Sequence, residues 1–150
     1  MQDRQSSEKA LAARLGPVSR SWQQLADSAL SSLGVSNSSG WALVHLLRLG
    51  DDVRQGDLAR AINVTEPSLV RTLHLLEDAG LVERVADDSD RRAKNLRLTA
   101  EGVTAARRID KRLIELRASL LDGIPTEDVE TVVRVLDRIA ARIAESAARQ

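Results

Sequence analysis

One short stretch of this chain of 150 residues departs from the helical spacing of its apolar residues, and that departure limits the possible folds more than any other feature. Over residues 11–80 the apolar residues recur three or four positions apart, which is the spacing of one helix face. Within residues 81–98, short apolar runs instead end at Val85 and resume at Leu96, with a charged loop between them. After Thr99 the helical spacing returns. The sequence therefore predicts a mainly α fold that contains one small β-hairpin.

Capping and breaking residues divide the helical parts into six helices. Serine and threonine side chains accept hydrogen bonds from the first free N–H groups of a helix, and glycine commonly ends one. The expected helices run from Leu11 to Gly34, from the caps at 36–39 to Gly50, from about residue 55 to 62, from the Thr65 cap to Gly80, from the Thr99 cap to the break at 122–125, and from Thr126 onward. Gly16 and Pro17 lie inside the first helix, and whether they kink or divide it stays open.

The middle of the chain has the order of a winged helix-turn-helix. A short helix, a tight turn at residues 63–64 and a second helix predict a helix-turn-helix, and the hairpin that follows adds a wing. We therefore expect residues 51–98 to form a DNA-binding lobe. Helices within 1–35 and 99–150 would serve dimerisation, and the chain would form one domain over 1–150.

Polar side chains on the fourth helix and on the hairpin are candidate DNA contacts. Short hydroxyls and one arginine suit a helix that enters a major groove about 12 Å wide, and arginine can bind guanine O6 and N7 or a phosphate. On the helix these are Thr65, Ser68, Arg71, Thr72 and, near its edge, His74; on the hairpin they are Arg84, Arg91, Arg92, Lys94 and Arg97. An ordinary solvated surface would also account for these residues.

The charge balance argues against binding to DNA by bulk charge. The chain has 22 basic and 22 acidic residues, and residues 51–98 hold eight basic and ten acidic ones. DNA reading then requires that the acids lie off the binding face or pair locally, as Asp90 would with Arg92. The alternative is a winged-helix module for protein interaction or dimerisation that does not read specific DNA.

Residues 57–102 resemble the core of the MarR family of winged helix-turn-helix transcriptional regulators, and the helix order matches that family over essentially the whole chain. The matching motifs are Leu58-Ala59, Val64-Thr65-x-Pro67-Ser68, Leu76-Glu77-x-Ala79-Gly80-Leu81-Val82, Asp90-Arg91-Arg92 and Leu98-Thr99-x-x-Gly102. The resemblance implies a homodimer on a palindromic operator in double-stranded DNA. It also implies a repressor, more often than an activator, that a small and commonly aromatic acidic ligand releases.

The same resemblance assigns roles to individual residues. It places Thr65, Pro67, Ser68, Arg71 and Thr72 in the major groove; it places Arg91 or Arg92 and Lys94 at the minor groove and backbone, with Asp90 holding the wing in shape. The first, fifth and sixth helices would interlock between subunits, and their long apolar seams favour this independently. The expected interface residues are Leu11, Leu15, Val18, Leu113, Leu116, Leu120, Val133, Leu136, Ile139 and Ile143.

A ligand site is predicted around the two tryptophans. Trp41 and His45 share one helix face, and Trp22 and Arg20 lie on the preceding helix. A tryptophan would stack on an aromatic ring, and a histidine or arginine would bind a carboxylate. Alternatively, Trp22 is interface core and His45 is a packed helix histidine.

Several function classes are not expected. The chain has no cysteine, which excludes thiol chemistry and disulfides, and two histidines without ligand spacing predict no metal and no cofactor. No phosphate-binding glycine loop or nucleophile motif points to an enzyme. The N-terminal segment resembles neither a signal peptide nor a membrane span, so we expect a cytoplasmic protein that does not bind membranes.

Overall fold

The structure is a computed structural model, and it describes residues 2–87, 89–90 and 94–149. Its six helices and its hairpin follow the predicted order, and the predicted fold class, mainly α with a small β wing on a helix-turn-helix, is confirmed. The elements are α1 (Gln2–Ser31), α2 (Asn37–Leu49), β1 (Val53–Arg54), α3 (Gln55–Ala61), α4 (Glu66–Asp78), β2 (Val82–Ala86), β3 (Lys94–Leu98), α5 (Ala100–Leu120) and α6 (Thr126–Ala148). The dimerisation role of the flanking helices stays a prediction.

Helix α1 runs without interruption through Pro17. A proline inside a helix lacks the N–H that would reach the carbonyl four residues earlier, here that of Ala13. Ala13 is exposed, so water can reach its side of the helix. Pro17 therefore does not divide the helix, which answers one half of the question left open by the sequence.

The wing is a three-stranded antiparallel sheet in the order β1-β3-β2. Strands β2 and β3 form the predicted hairpin, with Val82 opposite Leu98 and Ala86 opposite Lys94. Strand β1 was not predicted; its Val53 pairs with Leu96. Two residues are too few to show an alternating pattern, so the pairing appears only once the chain is folded.

The hydrophobic core of residues 1–116, which form one compact unit, is built from leucine, valine, isoleucine and alanine. The largest fully buried side chains are Leu30, Leu43, Val44, Leu46, Leu58, Leu69, Leu73, Leu96 and Ile109. Leu113 of α5 belongs to this core at 3% exposure, and Leu116 packs against it. Leu113 was expected in a dimer interface; it is instead covered by its own chain.

The start of α5 is held against the end of α4. The Thr99 backbone N–H donates to the Leu81 carbonyl at 3.1 Å, and its hydroxyl donates to the Gly80 carbonyl at 2.6 Å. The same hydroxyl accepts from the Gly102 N–H at 3.0 Å, which confirms Thr99 as the cap. A Cβ on Gly102 would lie 1.9 Å from the Leu81 carbonyl oxygen, so this close approach requires glycine.

Residues 117–150 form a second compact unit, and most of these residues belong to α6. None of the described side chains of α6 is buried within the chain. Its exposed large apolar residues are Val132, Val133, Val135, Leu136 and Ile143. Nowhere in the described part of the chain does a helix combine the length and the apolar composition needed to cross a bilayer.

Candidate nucleic-acid interface

The N-terminus of α4 is capped by Thr65, as predicted. The Thr65 hydroxyl accepts from the Ser68 N–H at 3.4 Å and donates to the Ser68 hydroxyl at 2.9 Å. Pro67 stands in the first turn, where a missing N–H has no partner to lose. These contacts fix the first turn of the helix and leave Pro67 and Ser68 exposed beside each other.

One side of α4 is exposed and lines an open groove. Pro67, Ser68, Arg71 and Leu75 are exposed and line an open groove of about 570 Å³, together with Ser38 of α2 and the edge of Thr72. Thr72 was expected on this exposed side, but it is only 7% exposed. It lies one residue before Leu73 of the core, and it lines a small cavity with Ser38 and Trp41 of α2. Thr72 therefore faces α2 more than the groove.

Arg71 has a free guanidinium at the centre of this side. Within the described residues, no carboxylate and no hydrogen-bond acceptor pairs with it. The other arginines described between residues 51 and 98 are all paired: Arg54 with Asp87 at 3.2 Å, Arg60 with Asp57, Arg84 with Glu77 at 2.8 Å, and Arg97 with Asp52 at 3.0 Å. Four acids of the lobe, Asp52, Asp57, Glu77 and Asp87, therefore pair locally, which meets part of the condition for DNA reading. Arg71 is left available for a phosphate or a guanine.

Asp87 holds the start of the wing loop, directly after β2, a role that the sequence did not reveal. Its carboxylate accepts from the Ser89 hydroxyl at 2.7 Å, from the Ser89 N–H at 2.9 Å and from Arg54 at 3.2 Å. The hydrogen bonds from the Ser89 side chain and backbone, followed by the charge of Arg54, hold the pKa of the Asp87 carboxyl below its usual value. The signal available in the sequence was an aspartate two residues before a serine, which is typical of an Asx turn.

The structure describes only some of the residues predicted as wing contacts. Lys94 is exposed at the first position of β3. Arg91 and Arg92 lie outside the described residues, and so does the expected pair between Asp90 and Arg92. Asp90 itself is exposed, and its backbone N–H donates to the Asp87 carboxylate.

The four candidate ligand residues fall into two groups. Trp41 and His45 are together, with ring centroids 6.2 Å apart, and the Trp41 indole N–H donates to Asp27 at 3.0 Å. Burial, and then the charge of Arg48, lower the pKa of His45, which favours the neutral imidazole. Arg20 and Trp22 lie on α1, and the guanidinium of Arg20 lies beside Gly16 of its own helix. No hydrogen bond or ring contact in the described residues joins them to the first group.

A small cavity lies between Trp41 and α4. It has a volume of about 100 Å³. Its lining residues come from α2, the turn after α3, and α4: Ser38, Trp41, Ile62, Val64, Ser68, Leu69 and Thr72. The side chain of Trp41 therefore contacts Asp27 of α1 at one end and faces α4 at the other.

Comparison with known proteins places this geometry among DNA-binding regulators. A model of the MarR family matches residues 33–93. The transcriptional regulator PA3341 is 35% identical over 90% of this chain and 98% of its own, with a TM-score of 0.83. MepR of Staphylococcus aureus, in a complex with DNA, is 26% identical over 84% of this chain and 91% of its own, with a TM-score of 0.72. Apo MarR from E. coli shares the fold, with a TM-score of 0.70 at 22% identity over 86% of this chain and 96% of its own.

Proposed function

This chain belongs to the MarR family of DNA-binding transcriptional regulators, and on that premise we propose that it binds a palindromic operator as a homodimer. In this proposal α4 enters the major groove, with Thr65, Pro67, Ser68 and Arg71 on the DNA side. Arg91, Arg92 and Lys94 of the wing contact the minor groove or the backbone. The observation that carries the proposal is the free guanidinium of Arg71 on the exposed side of α4, in a lobe whose other described arginines are paired with acids.

Dimerisation is proposed because two parts of the chain present apolar faces without cover. On α1, Leu11, Leu15 and Val18 are exposed, and α6 buries none of its described side chains. Apolar surface of this extent on separate helices is typical of surfaces that a partner buries. A second copy of the chain would bury it with two-fold symmetry and present two recognition helices to two half-sites.

We further propose that the regulator is a repressor and that a small ligand releases it from DNA. Trp41 and His45 would hold the ligand by stacking and by hydrogen bonding from a neutral imidazole. The supporting observation is that Trp41 lies between α1 and the cavity beside α4, so a molecule bound to Trp41 would contact the recognition helix directly. In the absence of any catalytic constellation in the sequence, the proposed function does not include catalysis.

The test is fluorescence anisotropy on DNA from upstream of the protein's own gene, compared with an unrelated duplex at two salt concentrations. We expect the wild type to prefer the upstream DNA at both salt concentrations. The logarithm of its association constant should fall linearly with the logarithm of the salt concentration, with a slope of about −0.9 for each phosphate that the protein neutralises. Arg71→Ala is expected to weaken binding to the preferred duplex by roughly 1–3 kcal/mol for each half-site, about five- to 150-fold for each. Arg71→Lys keeps the charge but loses the bidentate geometry, so it recovers only part of that loss.

The matched control is Arg112→Ala, which removes one exposed arginine from α5, where it pairs with Glu115. It is expected to bind the preferred duplex as the wild type does. Equal and weak binding of the wild type to both duplexes, with no dependence on Arg71, would refute sequence-specific reading and favour the alternative of a protein-interaction module.

A further inference from the structure

Leu75 is the most exposed large hydrophobic residue in the described part of residues 51–98. It is 57% exposed, compared with 41% for Val64. Single exposed apolar side chains are common on protein surfaces and carry little meaning alone. The position of Leu75 on α4 gives its exposure a meaning.

Leu75 continues the side of α4 that carries Pro67 and Arg71. The three residues are spaced four apart, so each lies about 6 Å further along the helix axis on nearly the same side. All three line the same open groove. Leu73 and Leu76, on the opposite side, fill the core, so Leu75 is not part of the helix's own hydrophobic seam.

The major groove offers a leucine one suitable apolar group, which is the C5 methyl of thymine. Arg71 lies one turn before Leu75, and its free guanidinium can bind guanine O6 and N7. A spacing of about 6 Å along the helix corresponds to nearly two base-pair steps of about 3.4 Å. An apolar protein partner fits the same surface poorly, because covering Leu75 would also bury the Arg71 charge without a partner.

We infer that Leu75 contacts the methyl group of a thymine within about two base pairs of the guanine bound by Arg71, and that it thereby sets part of the operator sequence. The inference rests on the proposed function, because it requires α4 to lie in the major groove. It adds a specificity-determining residue that the sequence motifs did not include.

The experiment replaces individual thymines by deoxyuridine, which removes only the methyl group and keeps the base pair. An operator is first selected from a pool of random duplexes with the wild-type protein. Each thymine of one half-site is then replaced in turn, and the Kd is measured by anisotropy for the wild type, Leu75→Ala and Leu75→Met. Leu49→Ala is the control, because Leu49 is a similarly exposed leucine (47%) at the end of α2. Circular dichroism checks that each variant is folded.

For the wild type we expect one position at which deoxyuridine weakens binding about fourfold, the value of one buried methyl group. Leu75→Ala removes the contact in both half-sites, so it is expected to lose about the square of that factor, roughly 16-fold, on the thymine operator and to be insensitive to deoxyuridine at that position. Leu75→Met and Leu49→Ala are expected to keep the sensitivity of the wild type.

A deoxyuridine effect of equal size in the wild type and Leu75→Ala, or no effect at any thymine, would overturn the inference. The proposed function would survive that result, because the protein would still prefer the selected operator. If no duplex is enriched from the pool, the proposed function fails, and this inference fails with it.

Discussion

Among the glycines of this protein, Gly102 has the least room for a side chain. Its missing Cβ lets the first turn of α5 approach the Leu81 carbonyl, and Thr99 completes the contact with hydrogen bonds to Gly80 and Leu81. These contacts join the end of the recognition helix to the start of α5. Stability at this junction therefore depends on one residue that carries no side chain.

The prediction at this scale is that Gly102→Ala lowers the free energy of unfolding by about 1–3 kcal/mol or more, because the new methyl group meets backbone that cannot move aside freely. Urea denaturation measures the change. Gly56→Ala in α3 is the matched control, since its Cβ would have its nearest neighbour at 3.5 Å, an ordinary contact. We expect that control to be neutral or slightly stabilising. A Gly102→Ala protein as stable as the wild type would show that the junction can open without cost.

At the scale of the element, two kinds of contact hold the wing: one between residues close together in the sequence, and one between residues far apart in the sequence. Ser89 binds Asp87 from two positions away, and Arg54 binds it from the strand β1. The first contact is local turn chemistry, and the second joins the hairpin to the helix-turn-helix. An ion pair with an arginine as exposed as Arg54 adds little stability, so we assign most of the order at Asp87 to the turn.

The wing prediction concerns the titration of Asp87. Its pKa is expected below the usual 3.8, since hydrogen bonds from Ser89 favour the ionised carboxyl. A lowered pKa stabilises the folded wing above pH 3.8, and this contribution is lost as the pH falls through the lowered value. NMR titration of the carboxyl carbon tests this. Ser89→Ala should raise the pKa of Asp87 more than Arg54→Ala does; the reverse order would contradict the assignment to the turn.

At the scale of the whole molecule, the chain leaves apolar surface that its own fold does not use. Val133, Leu136 and Ile143 of α6 are exposed, and so are Leu11 and Val18 of α1. A regulator that reads two half-sites needs a fixed distance between two recognition helices, and a symmetric dimer supplies it. The proposed dimer would bury this apolar surface and supply that distance.

The prediction is that the double variant Val133→Glu, Leu136→Glu is a monomer and binds operator DNA much more weakly. The buried carboxylates would have no partner in the interface, and the two half-site contacts would no longer be linked. Light scattering after size exclusion should find the wild type at twice the 16.4 kDa chain mass and the variant at the single mass. Arg138→Glu is the control, about 200° around the helix from Leu136. A double variant that stays dimeric would place the interface elsewhere.

The helices and their caps were determined by the sequence itself. Thr65 and Thr99 cap helices whose first N–H groups lie three residues away, and such short-range hydrogen bonds do not depend on the rest of the fold. The hairpin was equally readable, because alternation within a strand is a local pattern. The motifs around Thr65, Gly80 and Gly102 were specific enough to predict the family, which the comparisons confirm.

Only the tertiary structure decided which charges are free and which side of α4 is open. Arg54 and Asp87 are 33 residues apart, and no local rule pairs them, yet pairs of this kind leave Arg71 available. Thr72 and Leu75 are both compatible with an exposed helix position, and the packing of α2 against α4 buries the first and leaves the second open. Side-chain periodicity defines a helix face only to within about one residue, whereas contact with a neighbouring element defines it to the atom.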